Sequence, residues 1–377
     1  MTTASPDPDG DLPSGSPSSP APQSQQTLQA LKKTSGPRLL ELDSLRGIAA
    51  FSVVLFHYTS HYHSLYGHEA SFHPRFPAGK YGVYLFFMIS GFVILMTLEK
   101  RRGWKDFVVS RISRLYPAYW AAMIVTFAVV TMFGLPDWPV GPHAFLINLT
   151  MAQQWLKTPH VDGVYWTLSL ELSFYAIMLA LSLAGLLARL KTVALIWMAA
   201  QIAAFAVMAS GRHVPTLVQV SFLLLYAHLF LAGMMFYRWK TTGFTPALGM
   251  TLALTLAMHV LIGEAGSMVP TLLSYAVFLL FTWDRLAFLR VRPMLFLGTI
   301  SYSLYLLHAN IGYVIISRGY ALGISPYVSV AVSMAVALLL ATALTKWVEK
   351  PVLAALRKHW QDGRNPGAAA AADPGPG

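Results

Sequence analysis

Apolar and polar positions alternate along this chain on the scale of a lipid bilayer. Runs of roughly 20 residues, the length a helix needs to cross the hydrocarbon core, occupy 44–63, 80–98, 115–134, 164–188 and 192–210. Five more occupy 217–237, 245–263, 267–284, 295–316 and 325–347. The pattern predicts an all-α, polytopic transmembrane helical bundle of about ten spans. The segment HAFLINLTMAQQWL (143–156) is too short and polar for a span and reads as a re-entrant or interfacial piece.

Composition agrees. The 377 residues are 55% hydrophobic and 11% charged, with a mean hydropathy of +0.53, which excludes an ordinary soluble domain. Pro, Ser, Gly and Gln dominate residues 1–36, so a disordered N-terminal tail is expected before a membrane domain at 37–352. A basic and then disordered tail is expected at 353–377. No basic stretch followed by an apolar one opens the chain, so no cleaved signal peptide is expected and the first span serves for insertion. Cysteine is absent, which removes disulfides, thiolate metal sites and a cysteine acyl-enzyme.

Charge orients the bundle. With the amino terminus inside, 22 of the 27 Lys and Arg fall on the cytoplasmic side, leaving Arg75, Lys80, Lys157, Arg212 and Arg318 outside. This positive-inside bias and an even number of spans put both termini in the cytoplasm. The formal net charge of +11 is then an inner-leaflet property, with no call for nucleic acid.

Candidate chemistry lies within the spans, where ionisable groups are costly and signal function. Arg46 and His57, eleven residues apart, share a helix face about 16 Å apart. His57 can exchange a proton near neutral pH. Depth counting puts His57, Glu171 and His308 at a similar level in the outer half of the membrane, so Glu171 is expected to orient the His57 ring. A His57 bonded to a neighbouring helix and an Arg46 paired with Asp43 are the competing structural readings. Arg111 and Arg114, three apart, can grip one polyanion, and the phosphates of coenzyme A suit them. Ser301, Tyr305 and His308 share a helical face. His61, His63, His68 and His73, with Glu69, read as a solvated polar loop rather than a metal site. Glu349 is expected to pair with Lys346 or Lys350, or with the loops, and Tyr165 and Trp166 to anchor at the interface.

These residues, taken together, resemble the bacterial acyltransferase-3 (acyl_transf_3) integral membrane proteins. The resemblance covers most of residues 39–352 and rests on six pieces in order. They are LRGIAAFSVVLFHY (45–58), GVYLFFMISGFVI (82–94), RISRLYPAYW (111–120), WTLSLELSFY (166–175), SYSLYLLH (301–308) and KWVEKP (346–351). It implies an enzyme of the cell (inner) membrane that moves an acyl group, usually acetyl, from acyl-CoA to a hydroxyl. The acceptor would be a sugar, a polysaccharide or lipopolysaccharide precursor, or a small-molecule glycoside. His57 matches the family's catalytic histidine and Arg46 its partner, while Arg111 and Arg114 match the pair that handles acyl-CoA. Some relatives carry a fused SGNH hydrolase-like domain; this chain ends soon after its last span, so a separate periplasmic transferase is a conceivable partner.

The mechanism expected from these parts has His57, oriented by Glu171 or another acid, taking the acceptor proton. Ser169, Ser301 or Tyr305 would bond the developing oxyanion, and a covalent acyl intermediate on His57 or a serine is an open variant. No permanently bound cofactor and no metal are expected. A secondary transporter is the alternative, since it too carries about ten spans and intramembrane His, Arg and Glu.

Overall fold

The computed structural model describes residues 1–2, 39–100 and 103–362. The two tail segments expected to be disordered, at 3–36 and 363–377, lie outside the described residues. So do Lys32, Lys33, Arg38, Arg101, Arg102 and Arg364. The described elements are helical. In chain order they are α1 (Leu40–Phe56), α2 (Tyr62–Tyr66), α3 (Gly82–Lys100), α4 (Trp104–Phe133), α5 (Pro142–Asn148), α6 (Trp166–Leu183) and α7 (Leu190–Ala209). There follow α8 (Thr216–Ser221), α9 (Ala227–Thr242), α10 (Pro246–Ile262), α11 (Met268–Thr282), α12 (Arg292–Ala321), α13 (Pro326–Leu344) and α14 (Lys350–Asp362).

Six helical segments are long and apolar enough to cross a membrane: Pro77–Lys100, Trp104–Phe133, Gly163–Leu183, Leu186–Ala209, Arg292–Ala321 and Pro326–Trp360. Two more, Pro246–Ile262 and Met268–Thr282, are apolar but shorter. Such a set makes this a multi-pass membrane protein. The other two of the ten expected runs are helical yet irregular. The first carries Glu41, Asp43 and Arg46 and passes through a π-turn at His57–His61. The run at 217–237 breaks between α8 and α9, where Leu223 takes a left-handed backbone (φ 52°). The expected interfacial piece at 143–156 holds the short α5 and then turns, latched by Asn148, whose side chain bonds Ala144 O, Pro159 O and Val161 N. The basic start of the expected carboxyl-terminal tail is helical as far as Asp362.

The helix α12 is the axis of the bundle. Its apolar stretch is 72% buried, against 28% for Leu186–Ala209, which leaves Leu195 and Ile196 outward for lipid. α12 packs on α1, α13 and α4, while α3 packs on α9 and α1. Hydrocarbon offers no hydrophobic drive between helices, so close backbone approach and buried polar bonds hold them. Gly47 and Gly298 supply such an approach: a Cβ on Gly298 would run into the Asp43 carbonyl, and one on Gly47 would come to 2.5 Å from Gly298 N. The Tyr58 hydroxyl adds a bond to His308 O (2.7 Å). Together these contacts fix the register of α1 against α12, and with it that of His57 against His308.

Candidate active site

Two pockets lie along α1, one at the Arg46 end and one at the His57 end. The arginine pocket, about 730 Å³ counted out into open solvent, is lined by Arg46 from α1, Arg111 and Arg114 from α4, and Glu171 and Tyr175 from α6, with Ser90, Ser301, Tyr302 and Tyr305. Three guanidinium groups face one carboxylate among the described lining residues, so the pocket is built for an anion. Glu171 accepts from Ser90 Oγ (3.2 Å) and from the Tyr175 hydroxyl. The Arg111 guanidinium stacks 5.7 Å from the Tyr175 ring and 5.9 Å from that of Phe107, an arrangement Arg favours over Lys. Its Nε is buried with no hydrogen-bond partner among the described residues, an arrangement costly without a ligand. Tyr302 OH donates to Leu115 O (2.9 Å), next to Arg114, and so ties the arginine turn to α12.

The histidine pocket is larger, about 1020 Å³, and aromatic: Tyr66, Tyr84, Trp166, Tyr226, Tyr305 and Tyr313 line it beside His57 and His61. Lys80 and Glu264 pair at its edge (2.5 Å). Asp162 lines it too, accepting from the backbone of Asn310 (3.0 Å) and Val164 (3.2 Å). Burial pushes the Asp162 carboxyl up to about 6, against the pull of those two N–H donors.

The hydrogen-bond network assigns the tautomers of the two histidines. His308 Nδ1 lies 2.9 Å from Tyr305 O and 3.1 Å from Leu304 O, so it carries the hydrogen and Nε2 is an acceptor. His57 Nδ1 lies 2.8 Å from Val53 O and 3.2 Å from that Nε2, so it too is protonated. The lone pair of His57 is therefore on Nε2, in a ring that lines the pocket. The π-turn that begins at His57 brings His61 beside it, ring centroids 5.3 Å apart; π-turns of this kind recur at functional sites.

The expected residues divide unequally between these pockets. Arg111 and Arg114 line one pocket, and Arg46, expected as the partner of His57, joins them there instead; His57 meets His308. Glu171 does not orient His57; it joins the arginines instead, because equal depth on separate helices says nothing about which faces meet. Ser169 lines neither pocket. It stands two residues, about 200° of helix rotation, from Glu171, and is fully buried. Ser301 Oγ is held by Gly298 O (2.9 Å), and Tyr305 OH by Val164 O (3.2 Å) and Thr167 Oγ1 (2.9 Å), so neither hydroxyl is left over for an oxyanion. Glu349 accepts from Ser303 and Thr345 rather than from the expected lysines. In the external loop, His68 bonds Tyr320 OH and Tyr58 O (2.5 and 3.0 Å), and burial lowers it to about 4, so it is a neutral strut. Asp162, Ser90 and Tyr175 were missed; Tyr175, one turn after Glu171, is the one whose spacing could have been read.

The acyltransferase domain family (Acyl_transf_3) matches residues 39–346. The chain belongs to that family. A curated relative, acyltransferase MdmB of Streptomyces mycarofaciens, is 26% identical over 103 residues, which is 26% of this chain and 27% of that protein. The chain thus aligns with about a quarter of that relative's length. No solved structure matches. Membership of an acyltransferase domain family favours acyl transfer over the transporter alternative. The family implies an acyl donor and an acceptor.

Proposed function

We propose that the protein is an acyl-CoA-dependent O-acyltransferase in which the arginine pocket takes the donor and the histidine pocket takes a hydroxyl acceptor. One observation carries the reading: a cationic pocket and a histidine-bearing pocket abut along α1, about 16 Å apart at Arg46 and His57, a span suited to the pantetheine arm. The positive-inside bias assigns the arginine pocket to the cytoplasmic half, where acyl-CoA is available. Phosphates of the donor meet Arg111 and Arg114, and Arg46 adds positive charge to the same pocket from α1.

In the reaction, His57 Nε2 accepts the acceptor hydroxyl proton as that oxygen bonds to the thioester carbonyl carbon. The carbon–sulfur bond then breaks, and the imidazolium returns its proton to the departing thiolate of coenzyme A. His308 Nε2 and Val53 O hold Nδ1–H throughout, so the developing imidazolium is hydrogen-bonded on its far side. The aromatic lining of the histidine pocket supports a carbohydrate or glycosylated acceptor, whose apolar ring faces stack on aromatic side chains while its hydroxyls find Asp162 and Asn310.

The test is His57→Ala in the full chain, with acyl-CoA binding and acyl transfer in membranes read separately. Transfer should fall by at least about 100-fold, the scale of a lost general base, while acyl-CoA binds as before. Turnover retained by the variant would remove His57 from the chemistry.

A further inference from the structure

The two pockets share Val83 and Tyr305, and among the described residues they share no other lining side chain. These two groups therefore stand where the pockets meet, and both are held rigidly. Tyr305 is 6% exposed, and its hydroxyl is tethered to Val164 O and Thr167 Oγ1. The Phe86 ring, which lines the arginine pocket, stands edge-on to it at 5.7 Å. Val83 is buried and β-branched, so its side chain has little rotamer freedom. The backbone beneath it is pinned as well: a Cβ on Gly82 would lie 2.6 Å from Ala49 O and 2.9 Å from Val53 Cγ2. Such an approach locks the start of α3 onto α1 one turn before His57.

A donor whose phosphates rest on the arginines must send its acyl group through this neck, acyl end first, to bring the thioester to His57. A chain threading a fixed gap is limited by its width rather than its length, because any extra length continues into the larger pocket beyond. We propose that Val83 and Tyr305 form a neck that selects the acyl donor by cross-section, admitting unbranched acyl groups and rejecting those branched beside the carbonyl. This rests on the assignment of the arginine pocket to acyl-CoA. The packed walls cannot widen without moving a tethered ring or the α1–α3 contact, so one misplaced methyl group carries a full penalty. A single methyl difference in a fitted site is worth about 10-fold or more.

The test uses the purified full chain and three probes: coenzyme A, n-butyryl-CoA and isobutyryl-CoA. The two thioesters have the same atoms and differ in width at the carbon beside the carbonyl. The wild-type protein should take up n-butyryl-CoA about 10-fold or more faster than isobutyryl-CoA, read as the rate of association. Val83→Ala should bring that ratio close to one with coenzyme A binding unchanged. Val83→Ile, which narrows the gap, should slow uptake of n-butyryl-CoA by several-fold while sparing coenzyme A, so the neck remains testable if one variant does not fold. Equal wild-type uptake rates, or a ratio that Val83→Ala leaves unmoved while coenzyme A still binds through Arg114, would overturn the neck alone. Failure of coenzyme A to bind, or binding indifferent to Arg114→Ala, would overturn the donor assignment and the neck with it.

Discussion

The ring of His57 is oriented by a backbone carbonyl one turn before it and by a second imidazole, and this shapes what it can do. A neutral partner keeps the proton on Nδ1 without the basicity a carboxylate would add. It also leaves Glu171 to serve the arginines, where it offsets part of their mutual repulsion and holds Tyr175 against Arg111. Charge and shape both matter in that cluster, so Arg114→Ala and Arg114→Lys should differ. The alanine variant should raise the Michaelis constant for acyl-CoA by about 10- to 100-fold, the value of a charge-assisted phosphate bond. Lysine should recover part of the loss, since it keeps the charge and gives up the bidentate fork. Steady-state kinetics with varied donor would show it; an unchanged constant in both variants would take Arg114 out of donor binding.

At the scale of elements, the position of His57 depends on how closely α1 lies against α12. Gly298 meets the Asp43 carbonyl, and Tyr58 reaches His308 O from the same helix. Gly298→Leu should therefore push the two helices apart, losing about 1–3 kcal/mol or more to overpacking, and should separate His57 from His308. A lowered thermal midpoint in detergent, with transfer lost in whatever folded protein remains, is the expected outcome. A variant as stable and active as wild type would mean that the helix contact is not what sets the site. Pro117 belongs to this scale as well. It removes one backbone donor just after the Arg111–Arg114 turn, and the Tyr302–Leu115 bond secures that stretch from outside α4.

Across the whole molecule, the proposed use of the two pockets divides the reaction by side. Under that proposal and the positive-inside orientation, the donor would enter from the cytoplasm and the acceptor from the opposite face or the outer leaflet. Inside-out membrane vesicles should thus transfer from added acyl-CoA, which does not cross lipid, whereas sealed right-side-out vesicles should not until they are permeabilised. Equal activity in both sealed preparations would contradict the sidedness. The six long apolar helices and two shorter ones leave the irregular first run and the broken run at 217–237 to complete the bundle. Charge and a π-turn in the first of these are the cost of bringing Arg46 and His57 into the interior.

Hydrophobic runs, charge bias and the spaced Arg and His were legible in the chain because each is a property of one helix: its length, its ends, or one of its faces. They yielded the helical membrane class, the Arg111–Arg114 pair and the shared face of Arg46 and His57. Depth along a helix was legible too, which is why His308 could be set level with His57. Which helix stands beside which was not, because bilayer depth supplies one coordinate and contact needs three. Only the packing of α1, α3, α4, α6 and α12 gave Glu171 to the arginines, turned Ser169 away, paired His57 with His308, and left Val83 and Tyr305 between the two pockets.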